Sequence, residues 1–144
     1  MRIWHKDLIP YLPRQQLLGQ WRECCLIAKT IKETGTPNHI LVNRIMNYSL
    51  NHFWSYGTEI AAELIRRGYE VNENKFTQYF DNKTLMRISH EFIFKEWHDD
   101  EYLTICYYNL LEKYRCGGIP REEFESIFYI FKAGGKINES TSSN

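Results

Sequence analysis

This sequence predicts an all-α fold: a compact single-domain helical bundle whose long first helix carries an Arg-Glu pair. Three observations lead there. Apolar residues recur at helical spacing, and no stretch alternates as a half-buried strand does. Prolines or acids stand where helices begin, and glycines stand just beyond where they end. A 43% hydrophobic and 15% aromatic content lets 144 residues bury a real core, which excludes disorder for the bulk of the chain.

Residues 1–12 read as extended or irregular, punctuated by Pro10 and Pro13. A helix is expected from about Pro13 to Lys32, stopped by Gly35 and Pro37. Leu17, Trp21, Cys24, Ala28 and Ile31 share its apolar face, and Gln15, Gln16, Gly19, Arg22 and Glu23 lie on a neighbouring one. Gly19 costs up to about 1 kcal/mol relative to Ala in a helix interior, and its missing side chain leaves room for close approach. A short helix over 38–48 and a longer one over 50–67 follow. The longer one has Phe53, Ile60, Leu64 and Ile65 in its stripe and ends in Arg66-Arg67-Gly68. Helical turns are expected at 73–80 and 83–90. Asp99-Asp100-Glu101 opens a helix to about 115, ended by Gly117-Gly118. Pro120 opens the last helix, to about Lys132. Residues 1–136 form one expected domain, and 137–144 an expected disordered polar tail.

No apolar run reaches the roughly 18 residues of a membrane span. The start, Met1-Arg2-Ile3-Trp4-His5-Lys6-Asp7, lacks a signal-peptide core, so a cytoplasmic address is expected. Cys24, Cys25, Cys106 and Cys116 make no Cys-x-x-Cys pair and read as reduced, packed thiols. Phosphate-loop, dinucleotide, zinc-helix and nucleophile-elbow motifs are absent, and His5, His39, His52, His90 and His98 are scattered. Net charge is zero, yet Arg2, Lys6, Arg14, Arg22, Lys29 and Lys32 face only Asp7 and Glu23 within 1–32. That basic stretch suits a local anionic ligand such as a nucleic-acid backbone.

The informative segment is Met1-Arg2-Ile3-Trp4 followed by Arg14-Gln15-Gln16-Leu17-Leu18-Gly19-Gln20-Trp21-Arg22-Glu23. It resembles the N-terminus of the pyrimidine-dimer DNA glycosylase/AP-lyase family, the endonuclease V type that incises at ultraviolet photoproducts. Glu59-Ile60-Ala61-Ala62-Glu63-Leu64-Ile65-Arg66-Arg67-Gly68-Tyr69 resembles a second stretch of that family. His98-Asp99-Asp100-Glu101-Tyr102-Leu103 is similar to a subgroup of its uncharacterised relatives. The resemblance implies a free α-amine as nucleophile, here that of Met1, with Glu23 as acid/base and charge stabiliser. It implies DNA contacts from Arg2, Arg14, Gln15, Gln16 and Arg22, damaged double-stranded DNA as partner, and no metal or cofactor. A monomer is the expected state.

The physical chemistry agrees with that implication. An α-amino group titrates at roughly 7.7–8.0, against about 10.4 for lysine, so a neutral, nucleophilic fraction exists near neutral pH. A carboxylate beside the sugar stabilises growing positive charge and can then remove a proton. Two departures from the family pattern stand out. Arg2 is too large for initiator-methionine trimming, so the amine must be Met1's own. The aromatic-basic C-terminal segment that grips the photodimer has no clear match; the nearest candidates are Tyr107-Tyr108, Tyr114-Arg115 and 128–132, whose spacing fits core packing at least as well. A non-catalytic helical nucleic-acid-binding domain and a partner-binding helical domain remain open at this point.

Overall fold

A computed structural model describes residues 1–133. Five α-helices follow in order, with three short 3-10 turns between them: η1 (Lys6–Tyr11), α1 (Arg14–Thr34), η2 (Asn43–Asn47), α2 (Leu50–Arg66), α3 (Asn74–Thr77), η3 (His90–Phe92), α4 (Asp100–Arg115) and α5 (Arg121–Ala133). The described chain has no strand, and the all-α expectation holds. None of its helices is long and apolar enough to cross a membrane. The expected polar tail lies outside the described residues.

The helix ends follow local chemistry. Gly35 takes φ +82° and donates its N–H to the Ile31 carbonyl, closing α1. The Asp99 side chain accepts the Tyr102 N–H at 2.8 Å and caps α4. Gly68 and Gly117 adopt the left-handed conformation after α2 and α4. Leu17, Cys24, Ile27, Ala28 and Ile31 of α1 are buried against Phe53, Tyr56, Ile60 and Leu64 of α2. Ile65, expected in that stripe, is 48% exposed, and Tyr56 takes the inward position instead. α4 and α5 zip together through rings. Tyr107 stacks on Phe131 at 4.3 Å, and Tyr114 lies nearly parallel to Phe124 at 4.4 Å. Most of the C-terminal aromatics are therefore packing residues, although Tyr108 and Tyr129 face solvent.

The short helix expected over 38–48 shrinks to the 3-10 turn η2, because Asn38 takes φ +59° and residues 38–42 run as loop and turn. Two further segments depart from the sequence expectation. Residues 6–11 coil into η1, with the His5 ring accepting the Asp7 N–H as its cap. Residues 85–89 are an extended strap along α2, not a helical turn. Asn51 accepts the Met86 N–H, Ser55 accepts the Ile88 N–H, and Glu59 meets the His90 ring at 2.6 Å. The spacings match. Four residues of helix advance about 6 Å, and two residues of extended chain advance about 6.6 Å. Strap backbone and helix face thus stay in register over two contacts, which the His90 side chain extends by a third at the start of η3, and periodicity within the strap alone has no means of signalling this.

His90 closes the strap by bridging two acids, Glu59 and Asp7 (2.8 Å). Partial burial alone would lower its pKa, but hydrogen bonds and charge from Glu59 and Asp7 outweigh that and raise it. The stabilisation is fully present below the unfolded value of about 6.5 and is lost as pH rises through the raised folded value. The bridge is half exposed, so its worth is on the order of 0.2–1 kcal/mol. In urea titrations, wild type should exceed His90→Gln in stability at pH 6 by more than at pH 8.5; an unchanged difference would contradict the bridge.

Gly57 on α2 sits under the Phe76 ring, where an added Cβ would stand 2.2 Å from Cζ. Phe76 is fully buried among Trp21, Phe53 and Phe80 and has nowhere to go. Ala ordinarily gains about 1 kcal/mol over Gly in a helix, but overpacking costs about 1–3 kcal/mol. Gly57→Ala should therefore lower the unfolding free energy by up to about 2 kcal/mol, read from chemical denaturation.

Candidate active site

The first five residues run as an extended segment across the bundle into η1, and helix side chains meet several of the peptide groups of residues 2–6. Ile3, His5 and Lys6 are buried, so these groups need partners. Gln20 of α1 takes the Trp4 N–H on Oε1 at 2.8 Å and gives Nε2–H to the Arg2 carbonyl at 3.0 Å. The Tyr102 hydroxyl of α4 donates to the Ile3 carbonyl. The Tyr56 hydroxyl of α2 donates to the Trp4 carbonyl at 2.7 Å and also reaches Gln20 Oε1 at 3.0 Å. The Lys6 N–H donates to His98 Nδ1 at 2.9 Å. Burial holds the His98 pKa well down, helped by the nearby His5 and Lys6. The ring is thus neutral, with its proton on Nε2, an atom that is buried without a partner among the described residues. The Lys6 ammonium is itself buried and bonds the Glu91 and Ile93 carbonyls.

This clamp brings residue 2 to Glu23. Gln20 Nε2 lies 3.0 Å from the Arg2 carbonyl and 3.5 Å from Glu23 Oε2, so one amide nitrogen serves both. Glu23 is half-buried, one helical turn beyond Gln20. Met1, one residue upstream of the clamp, is 42% exposed. The ion pairs among the described residues involve Glu63, His90 and Arg121 and leave Met1 and Glu23 outside them.

The other candidates divide. The Arg2 guanidinium lies over the Trp4 ring at 5.4 Å and beside the Tyr102 hydroxyl and the Cys106 thiol, half-buried. Arg22 is exposed, with its guanidinium 3.8 Å from where a Gly19 Cβ would stand, so the missing side chain at 19 gives it room. Gln15 is exposed, whereas Gln16 is buried with Oε1 unpartnered among the described residues. Arg14 sits nine residues before Glu23, about 13 Å along the helix, where its Nε donates to the Tyr69 hydroxyl. The Arg66-Arg67 end of α2 is tied up locally. Buried Glu63 accepts from both arginines, and Arg67 also holds the Leu12 and Pro10 carbonyls. Lys29 and Lys32 continue the exposed face of α1, and Lys75 of α3 approaches Cys25 beside it. Among the described residues no three His, Cys, Asp or Glu side chains converge as a metal site requires.

A family model for pyrimidine dimer DNA glycosylases matches residues 1–77, just over half of the chain. The chain belongs to that family. No curated protein and no solved structure matches it. Membership implies a DNA glycosylase activity directed at pyrimidine dimers, with DNA as the substrate. The matched span holds Arg2, Gln20, Glu23 and Tyr56. Tyr102 and His98, which hold the same glycosylase's N-terminal segment from α4 and the turn before it, lie outside the match. Sequence reasoning overlooked Gln20, Tyr56 and Tyr102. The available signal was Gln20 itself, a polar residue three before Glu23 and one turn after Gln16, on the side of α1 that turns inward.

Tyr102→Phe should release the Ile3 carbonyl from its partner at a cost of about 1–3 kcal/mol, as for a buried group left unsatisfied. The measurement is the unfolding free energy together with hydrogen exchange of the Trp4 and Lys6 amides, which should quicken while α5 amides do not.

Proposed function

We propose that this chain is a DNA repair glycosylase with abasic-site lyase activity, acting on pyrimidine dimers or related base lesions through the Met1 amine and Glu23. The observation that carries this reading is the shared Gln20 amide, whose nitrogen bonds the Arg2 carbonyl at 3.0 Å and lies 3.5 Å from Glu23 Oε2. Base displacement requires an amine nucleophile and a carboxylate within reach of one sugar, and the amine lies one residue before the Arg2 carbonyl that Gln20 holds.

The chemistry balances without a metal or redox partner. The neutral Met1 nitrogen bonds to the sugar C1′ while the glycosidic bond breaks; the base leaves with that electron pair and is protonated. The Glu23 carboxylate stabilises positive charge on the sugar during this step. The nitrogen then loses a proton, the C1′–O4′ bond opens with O4′ taking up a proton, and the nitrogen lone pair closes an iminium. Glu23 removes the C2′ proton, the C3′–O bond breaks, and the 3′ phosphate leaves with its electron pair. Arg22, with Lys29 and Lys32 along the exposed face of α1, supplies cations for the phosphates beside the lesion. Arg2, packed on Trp4 and Tyr102, shapes the entrance beside the amine. Damaged duplex is cheaper to open than intact duplex, which favours reaching the target.

The test is borohydride trapping on abasic-site and photodimer DNA, using protein whose intact mass shows an unblocked Met1. Wild type should form a covalent adduct, and an N-terminal extension should abolish it. Glu23→Gln should slow strand cleavage by about 100-fold or more. Absence of the adduct, or full activity in Glu23→Gln, would sink the reading. DNA affinity should fall steeply with salt.

A further inference from the structure

We propose that Gln20 is a positioning residue that sets the Met1 amine against the Glu23 carboxylate by binding the backbone next to one and the side chain of the other through a single amide. The proposal rests on the reading of Met1 and Glu23 given above and adds a residue to it.

A glutamine amide offers a carbonyl with two acceptor positions and an NH2 with two hydrogens. Gln20 is 1% exposed and uses all four. Oε1 takes the Trp4 N–H and the Tyr56 hydroxyl, while Nε2 gives to the Arg2 carbonyl and approaches Glu23 Oε2. These partners decide which way the amide faces. A flip would set NH2 against the Trp4 N–H and turn the carbonyl oxygen onto the Arg2 carbonyl and the Glu23 carboxylate. With the amide so fixed, its two hydrogens diverge from one nitrogen toward the residue following the amine and toward the acid.

A residue that only fastened the N-terminal segment would need the contacts to Trp4 and Arg2 and no more. The reach to Glu23 is the additional feature. At 3.5 Å it is long for a hydrogen bond, as catalytic contacts often are before substrate tightens the site. It engages Oε2 alone. The Tyr56 hydroxyl supports the arrangement from behind by holding both Gln20 Oε1 and the Trp4 carbonyl. Arg2 cannot shift relative to α1 without breaking this set, so the amine one residue upstream inherits its place from Gln20. A displacement of about 1 Å at a reacting pair costs on the order of 100-fold in rate.

Two near-isosteric variants separate positioning from fastening. Gln20→Met keeps the volume and removes all four contacts. Gln20→Glu keeps the acceptor half and turns the donor half into a second acid beside Glu23. Single-turnover base release, borohydride trapping and DNA binding are measured for both and for wild type between pH 5.5 and 8.5 (about neutral, where the amine is partly free). Gln20→Met should slow base release and trapping about 10- to 100-fold with DNA affinity nearly unchanged. Gln20→Glu should move the acid limb of the pH–rate profile upward, because adjacent carboxyls cannot both ionise freely. If wild type itself forms no adduct, the Met1 reading fails and takes this role with it. If wild type forms the adduct and both folded variants match its rates and pH profile, positioning alone is overturned. Should neither variant fold, the side-chain NH2 resonances of Gln20, followed by 15N NMR in an otherwise native chain, decide. They should move on Glu23→Gln and on acetylation of the Met1 amine, and indifference to both overturns the proposal.

Discussion

A buried peptide group left without a partner costs about 1–3 kcal/mol, and the N-terminal segment buries several with no helix or sheet to satisfy them. Side chains from α1, α2, α4 and the turn before α4 do that work instead: Gln20, Tyr56, Tyr102 and His98. Around this constraint the rest of the bundle is arranged. α1 must present Gln20 inward, α2 must place Tyr56 next to it, and α4 must close over Ile3. Burial pushes both tyrosine hydroxyls well above their ordinary pKa, which extends their role as donors into alkaline pH. It holds His98 neutral, so that Nδ1 remains an acceptor. The same desolvation that makes an unmade bond costly keeps each partner in the protonation state its bond requires.

The clamp draws on residues both inside and beyond the span that the family model matches. Residues 1–77 carry the N-terminal segment, α1, α2 and α3, which include the Gln20 and Tyr56 halves of the clamp. The remaining half comes from His98 and Tyr102, after the extended strap has run back along α2. The strap's contacts with Asn51, Ser55 and Glu59, and the Lys6 bonds to the Glu91 and Ile93 carbonyls, deliver the chain to the point where α4 can begin. Packing at the far end, with Tyr107 on Phe131 and Tyr114 on Phe124, then holds α5 to α4. The aromatic residues there contribute chiefly to this packing.

Charge is partitioned in the same spirit. Arg66 and Arg67 belong to the resemblance in sequence, yet Glu63 pairs with both, and Arg67 also bonds two backbone carbonyls and so caps the join between η1 and α1. Arg22, Lys29 and Lys32 remain on solvent-facing α1. A chain with zero formal net charge thereby keeps Arg22 next to Glu23 and continues the exposed cations along α1 with Lys29 and Lys32, as an anionic backbone needs.

The sequence by itself determined the four long helices, because 3.6-residue periodicity, capping acids, prolines and terminal glycines act within a few residues of one another. It also carried the resemblance to the family, since Met1-Arg2 and Arg22-Glu23 are legible as residue type and order. Only the tertiary structure decided that Gln20, rather than Gln15 or Gln16, faces the N-terminal segment, and that Tyr56 and not Ile65 turns inward. It likewise decided that 85–89 is extended rather than helical. Each of those outcomes depends on which polar atom meets an unpaired peptide group from a distant part of the chain. Contacts such as Tyr102 to Ile3 span 99 residues, a distance over which no local propensity acts.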